Sequence, residues 1–402
     1  MPSSTPSQEV PNSWDRSGLP SWTYFNEELR ELETEVLFRR HWQLACHQAD
    51  LPEPGNYVCF DMCGERAVII RGEDRVVRAF HNVCRHRGSR VAVKTKGQCR
   101  SALVCPFHGW SYNLDGTLRS PARPRTLPDL DPVEFGLKPL ELEIWHGFVF
   151  LRFKESDQPA VRDIMAPYDK EMAAYGVPDM VPAYRGFWST KTAVNWKAVR
   201  DVDNEGYHVP IAHPGLQDLY GHGYYDEPLS AGSNRSFGPF NDGPGKLWSV
   251  RNYKKILPDM PNLPESHRRA WVYLGLFPNT VIGLYPESVM FYQEFPVGAG
   301  LTVQRGATYR YKEESREMRL ARYLSSRIDR DTSEEDVQLT IWSCEATKSS
   351  GYQGIMLSDL EYGVRSFHDR LRELLPVMSR DREPGRGTVE EINRDLLSNG
   401  RA

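Results

Sequence analysis

The chain has no run approaching the roughly 20 apolar residues that a membrane span requires, so no transmembrane segment is expected in its 402 residues. No cluster of lysine and arginine stands out either. With 50 basic against 54 acidic side chains the formal charge is only −4, which excludes an obvious nucleic-acid surface and gives no reason to expect a basic partner. The opening MPSSTPSQEVPNSWDRS is polar and rich in proline and serine, without the charged-then-apolar pattern of a secretory leader, and a soluble cytoplasmic protein is expected. There is no internal repeat and no glycine-rich dinucleotide fingerprint, so nicotinamide chemistry would have to be supplied by another protein. Seven cysteines, an odd number scattered through a long chain, make a poor disulfide framework and read as reduced thiols, some of them metal ligands.

The hydrophobic pattern divides the chain. Leu29, Leu32, Val36 and Leu37 recur at helical spacing and predict a surface helix over 27–42. The pattern then shifts to short β-branched and aromatic runs at 56–60, 67–70, 76–80 and 147–151, separated by Gly, Asp and Pro, as in a small antiparallel β domain at 43–154. Helical stretches around 160–175 and 196–220 follow, and then a polar Gly/Pro/Asn-rich segment, 221–264, that reads as a long loop or lid. Strand signals return at 270–274, 280–284, 289–295, 301–305 and 307–311, close enough for one antiparallel meander. A helix over 358–375 opens with Ser358 and Glu361 as a capping box, and the charged tail from Ser379 is expected to be mobile. The fold class is therefore α+β: a helical segment at 1–42 packing on the larger domain, a β domain at 43–154, and a helix-on-antiparallel-sheet domain at 155–402.

Two Cys/His pairs lie in the β domain. Cys84-Arg85-His86-Arg87-Gly88 is followed, with eighteen residues between His86 and Cys105, by Cys105-Pro106-Phe107-His108-Gly109-Trp110. Thiolate sulfur suits iron–sulfur clusters, and two neutral imidazoles in place of two cysteines on one iron raise the cluster potential, which makes an electron relay. Gly88 and Gly109 follow the pairs, where tight turns would bring backbone N–H groups toward the cluster. Zinc is the bland alternative, since two Cys and two His also satisfy a tetrahedral ion, but structural zinc favours a Cys-x-x-Cys knuckle. Residues 40–155, with CPFHGW at 105–110, resemble the N-terminal domain of the Rieske non-haem iron oxygenase family. Respiratory Rieske proteins usually add one cysteine to each ligand loop. Arg87, Gly88, Ser89 and Phe107 stand here instead, so the resemblance is to oxygenases, and Cys99 is read as a plain buried thiol.

The second constellation is DVDNEGYHVPIAHPG, 201–215. His208 and His213 are five apart, about 140° around an ideal helix, so a shared metal needs a distorted turn, and Pro210 between them is expected to provide it by widening the helix. The family resemblance extends to Glu205, Tyr207, His208 and His213, and it implies a mononuclear iron held by two histidines and one carboxylate, with positions open for O₂. In 331–354, Asp336 is the carboxylate that the resemblance selects, with Glu335 and Glu334 as runners-up. The resemblance also implies that Glu205 links His208 to a cluster histidine of a neighbouring subunit in a homotrimer, because the two metal centres within one chain of that family lie too far apart. Glu at this position is seen in the carnitine and quaternary-amine branch. Asp201 or Asp203 could share the bridge.

The implied enzyme is the terminal component of a Rieske mono- or dioxygenase, with one [2Fe–2S] cluster and one mononuclear Fe(II), electrons from a separate NAD(P)H-dependent reductase with or without a ferredoxin, and a small organic substrate. Trp248, Trp271, Tyr273, Tyr285, Phe291 and Tyr292 could box a methylated ammonium by cation–π attraction, although aromatic residues in strands are more often core. Oxidative N-demethylation is therefore preferred. The alternatives are ring hydroxylation of an aromatic acid held by Arg or Lys from 221–264, and a pure electron carrier. Metal analysis of the purified protein should give about three irons per chain with an iron-dependent visible spectrum, against about two for a carrier. A colourless, zinc-loaded protein would end the Rieske reading.

Overall fold

The computed structural model describes residues 10–399 and divides into two compact units. The smaller unit comprises Phe38–Asp163 and Gly176–Pro182. The larger takes the N-terminal segment through Leu37, Ile164–Tyr175 and the chain from Ala183 onward.

In the smaller unit Val77–His81, Glu65–Arg71, Asn56–Met62 and Lys96–Gln98 form an antiparallel sheet in that order. Gln43–His47, Phe148–Arg152 and Glu141–Trp145 form a second, and Leu103–Val104, Ser111–Tyr112 and Leu118–Ser120 a third. Ala67, Val68, Ile69 and Ile70 are all buried, as a continuous apolar run in a central strand requires. One core gathers Val68, Ile70, Phe80, Leu103, Trp110 and Tyr112 around Cys84 and Cys105. Cys99, expected to be buried, is half-buried at the core's edge, where its Sγ donates to the Gly55 carbonyl at 3.4 Å.

In the larger unit an antiparallel sheet runs Trp188–Thr192, Leu301–Arg310, Ser288–Gly298, Thr280–Tyr285, Ala270–Leu276, Ser233–Pro239, Tyr225–Ser230. The two runs at 301–305 and 307–311 are one strand passing through Gly306. A Cβ there would lie 2.5 Å from the Phe291 carbonyl oxygen and 2.7 Å from the Trp188 ring. The lid expected over 221–264 is a correction: Tyr225–Ser230 and Ser233–Pro239 form a hairpin that extends the sheet, and Trp248–Ile256 is a helix. Ala231 and Gly232, with φ of 50° and 93°, supply the turn, and the polar composition of these edge strands hid their period.

Helices cover this sheet. Arg316–Ala346 is a 31-residue helix capped by Ser315, whose Oγ accepts from Met318 N at 3.2 Å. Its first half buries Ala321, Leu324 and Ile328 against Leu216, Leu219, Val250 and Trp271. Ser358 and Glu361 make the reciprocal capping box, over a short 3₁₀ turn that leads into helix Tyr362–Leu374. The tail from Ser379, expected to be mobile, forms helix Val389–Asn399. Val389 and Asn393 are buried, and Asn393 Oδ1 accepts from Val377 N at 3.2 Å. The charged residues between 379 and 388 masked that apolar face. Near the N-terminus the helix expected over 27–42 is α-helical at Glu27–Glu33 and ends in a wider π turn, Thr34–Phe38.

Glu33 on this helix is fully buried and accepts from the Lys197 ammonium and from Trp196 Nε1 at 2.8 Å. Removing one partner of a buried ion pair strands the other charge. Glu33→Ala should therefore lower stability by about 3–5 kcal/mol in thermal or denaturant unfolding, whereas a variant replacing Glu33 and Lys197 together with apolar residues should recover most of the loss.

Candidate functional site

The cysteine–histidine loops share one backbone design. Gly88 N donates to Cys84 O at 2.9 Å and Gly109 N to Cys105 O at 3.0 Å, and both glycines have left-handed φ, 74° and 76°. The first loop follows strand Val77–His81; the second is the tip of the hairpin joining Leu103–Val104 to Ser111–Tyr112. Both cysteines are buried, while His86 and His108 stand at exposed tips with ring centroids 4.7 Å apart. His86 also stacks on Trp110 at 5.1 Å with an interplanar angle of 6°. Burial pushes the Cys84 thiol up, a cost that a coordinating metal cancels by taking the thiolate. Tyr112, which sequence reasoning missed, accepts from Arg85 N at 2.9 Å and places its hydroxyl 3.2 Å from Cys84 Sγ. A donor on a ligand sulfur stabilises its charge and so tunes a cluster. Two buried sulfurs facing two exposed imidazoles are a donor set that fits a Rieske cluster.

In the larger unit His208, His213 and Asp336 each offer a ligand atom, all within 4.8 Å of one another. His208 Nε2 lies 2.9 Å from His213 Nε2, and Asp336 Oδ1 lies 2.9 Å from His213 Nε2 and 3.6 Å from His208 Nε2. Donors bound at right angles about 2.1 Å from one metal sit about 3.0 Å apart. The separations therefore suit one ion.

The turn between the histidines is not the widened helix expected from Pro210. A short helix, Val209–Ala212, starts after His208 and stops at His213, whose φ and ψ of −119° and 83° are non-helical. Pro210 occupies the first turn, where no backbone N–H is needed, and the break at His213 swings its imidazole back toward His208. Behind the donors stand two carboxylates. Glu205 Oε1 bonds His208 Nδ1, and Glu335 Oε2 lies 2.9 Å from His213 Nδ1. Each fixes its ring so that Nε2 faces the shared point. Glu335 thus backs a histidine while Asp336 faces the site, and Glu334 lines the cavity in front. Asp201 is held by Tyr24 and His368, and Asp203 by Arg200 and Tyr292.

Burial opposes a charged His208, but hydrogen bonds to Asp336 and Glu205 and their charges lift its pKa to about 10. Burial likewise pushes Asp336 up, and the two imidazoles outweigh it and hold the carboxyl below its usual range.

These groups open onto a cavity of ≈ 880 Å³. Of the six aromatic residues considered for a substrate box, Tyr273, Tyr285 and Tyr292 line it. The others do not. Trp271 is fully buried behind Tyr285, stacked at 4.1 Å; Phe291 points to the opposite sheet face against Tyr309; Trp248 is exposed beside Arg327. Tyr220 and Tyr224 line the cavity instead and were missed, because only the break at His213 turns this segment inward. No Arg or Lys from 221–264 is among the lining residues: Arg235 is engaged by Glu171 and Glu227, and Lys254 by Asn241 and Gly243.

Residues 41–132 match the model of the Rieske [2Fe-2S] domain, and 182–376 that of the ring hydroxylating alpha subunit catalytic domain. The carnitine monooxygenase oxygenase subunit of Acinetobacter pittii is 30% identical over 322 residues, covering 76% of this chain and 81% of that one. The chain belongs to the Rieske non-haem iron oxygenase family. With this membership come one Rieske [2Fe–2S] cluster and one mononuclear iron. The glycine betaine monooxygenase oxygenase subunit of Pseudomonas aeruginosa is 35% identical over 198 residues, so that this Rieske oxygenase chain is matched over 49% of its length and spans 45% of that relative. A solved quaternary ammonium Rieske monooxygenase, studied for carnitine oxidation and inter-subunit electron transfer, superposes with a TM-score of 0.75 at 25% identity, covering 89% of this chain and 95% of that one.

For this Rieske oxygenase, Asp336→Ala is expected to lose the mononuclear iron while keeping the visible bands of the cluster, read by metal analysis and absorption on one sample. Retention of both metals would place the carboxylate ligand elsewhere.

Proposed function

We propose that the chain is the terminal oxygenase component of a multicomponent system that hydroxylates a small quaternary amine, with electrons from a separate NAD(P)H-dependent reductase, with or without a ferredoxin. The observation that carries this reading is the convergence of His208, His213 and Asp336 on a cavity walled by tyrosines and carboxylates. Relatives acting on glycine betaine and carnitine support the substrate class.

In this reading Cys84, His86, Cys105 and His108 hold the cluster, and His208, His213 and Asp336 hold the iron. When bound, the iron supplies dioxygen activation, driven by electrons relayed from the cluster. The chain's own residues do the rest. Glu205 and Glu335 fix the tautomers of His208 and His213, and the tyrosine-rich wall orients the substrate and excludes water. Glu205 also serves as the bridge to a cluster histidine of the next subunit of a homotrimer. The inter-subunit electron transfer studied in the similar quaternary ammonium monooxygenase supports that role, and of the three carboxylates Glu205 is the one bonded to His208, whereas Asp201 is held by His368 and Asp203 by Tyr292.

The balanced reaction takes one O₂, two electrons and two protons. One oxygen atom enters an N-methyl C–H bond and the other leaves as water. The hydroxymethyl ammonium then loses its hydroxyl proton, the C–N bond breaks with its electron pair going to nitrogen, and formaldehyde and a tertiary amine remain. Cytoplasmic location is part of the proposal, supported by the odd number and scattered spacing of the seven cysteines, which suits reduced thiols. Among the described residues no helix is long and apolar enough to cross a membrane.

Oxygen uptake with a surrogate reductase should be stimulated by one or more betaines, with formaldehyde released in step. Uptake driven by aromatic acids, yielding a diol and no formaldehyde, would overturn the substrate class and leave the oxygenase reading standing.

A further inference from the structure

We propose that Asp329, together with the rings of Tyr220, Tyr273 and Tyr285, forms the subsite that recognises the substrate's permanent cation, and that Asp329 is the residue selecting a charged over a neutral substrate. The inference rests on the quaternary-amine reading and assigns it to particular side chains.

The three phenols form a directed chain of hydrogen bonds. Tyr285 Oη donates to Asp329 Oδ1 at 2.8 Å. Since that proton is committed, Tyr285 Oη accepts from Tyr273 at 3.2 Å, and Tyr273 in turn accepts from Tyr220 at 3.2 Å. All three hydroxyl dipoles then point toward one carboxylate, and all four residues line the cavity shared with His208, His213 and Asp336. With their hydroxyl protons turned to one another and to Asp329, the phenols offer a ligand ring faces and a carboxyl that a cation can ionise rather than free donors. A methylated ammonium needs that combination. It has no N–H to give and is attracted by aromatic faces and by a carboxylate.

The other lining cations do not neutralise this end of the cavity. Arg200 is held by Asp203, Arg322 by Glu314 at 2.7 Å, and Arg185 and Arg330 are exposed, beside the Tyr184 ring and Asp331. Burial pushes the Asp329 carboxyl up to about 8 against the pull of the Tyr285 hydrogen bond. Empty, the carboxyl is therefore largely protonated near neutral pH; a permanent cation brought beside it favours the charged form and releases that proton to solvent, so the subsite becomes anionic as it fills.

Placement agrees with the chemistry. Asp329 and Asp336 are seven residues apart on helix Arg316–Ala346, about two turns and about 10.5 Å along its axis, on the same face. A single methylated ammonium fits between the cation-binding carboxylate and the carboxylate of the metal site, with an N-methyl group turned toward the metal.

The test is binding of tetramethylammonium, glycine betaine and choline, and of the neutral choline isostere 3,3-dimethylbutan-1-ol, to the iron-loaded wild type and to Asp329→Asn. Calorimetry gives affinities, and the cluster spectrum and iron content report integrity. Wild type should prefer choline to its isostere, and Asp329→Asn should weaken all three cations by about tenfold or more while leaving the isostere within about twofold. Equal cation affinity in the two proteins, with iron retained, overturns the assignment of Asp329. Failure of the wild type to bind any of the cations overturns the quaternary-amine reading itself. Should Asp329→Asn not fold, Tyr285→Phe keeps the ring and withdraws the hydroxyl from Asp329. It should weaken the cations severalfold and spare the isostere, and an undiminished preference for choline would count against the proposal.

Discussion

Three electron-rich atoms, two imidazole nitrogens and a carboxylate oxygen, are held within 4.8 Å of one another, and much of the larger unit can be understood as the means of holding them there. Such atoms repel unless a proton or a cation lies between them. The geometry therefore has to be imposed from behind. Two of the donors come from a short helix whose ends release His208 and His213 in converging directions, and the third from a helix more than a hundred residues later in the chain. Glu205 and Glu335 lock the imidazoles from their outer edges. The long helix is anchored in turn by Ala321, Leu324 and Ile328 in the core beneath the cavity, so apolar packing sets the position of Asp336.

The smaller unit solves a different problem. Its two loops bury thiols and expose imidazoles, so each loop must cross from core to surface within three residues. The left-handed glycines make that crossing possible, and the Tyr112 hydroxyl provides a polar contact to Cys84 where the protein is otherwise apolar. An electron relay needs both halves: a dry side that keeps the cluster intact and an open side through which a partner can reach it.

Much of this was legible in the sequence because it is local. The β-branched runs of the smaller unit, the individual strands of the meander from 270 to 310, the Ser358–Glu361 cap and each of the two Cys/His loops are encoded within a dozen residues. What escaped reading was set by distant packing. The hairpin 225–239 has a polar edge composition and looked like a lid until its pairing with Ala270–Leu276 is seen. Helix Val389–Asn399 lies behind a charged stretch that resembles a loose tail. The carboxylates were the hardest. Asp329, Glu335 and Asp336 all fall in RIDRDTSEED, a run that reads as a solvated face; the family resemblance picked out Asp336, but only the helix's position on the sheet turns Asp329 into the cavity and Glu335 behind a histidine. The aromatic wall was half visible for a related reason: strand alternation separates Tyr292 from Phe291, but nothing local brings Tyr220 and Tyr224 inward.

Asp329 and Asp336 share one rigid rod, and this makes the helix a ruler. The spacing between the two cavity carboxylates is an integer number of residues, so it cannot drift by fractions of an ångström as a loop would allow. Adding or removing a single residue between them would rotate one by about 100° out of the cavity. Length changes in this part of the chain are therefore tolerable only before the helix begins at Arg316 or after Asp336. Any adaptation to a longer or bulkier molecule has to come from the opposite wall, where the strands bearing Val281 and Met290 can exchange side chains without disturbing the scale against which the ligand is measured.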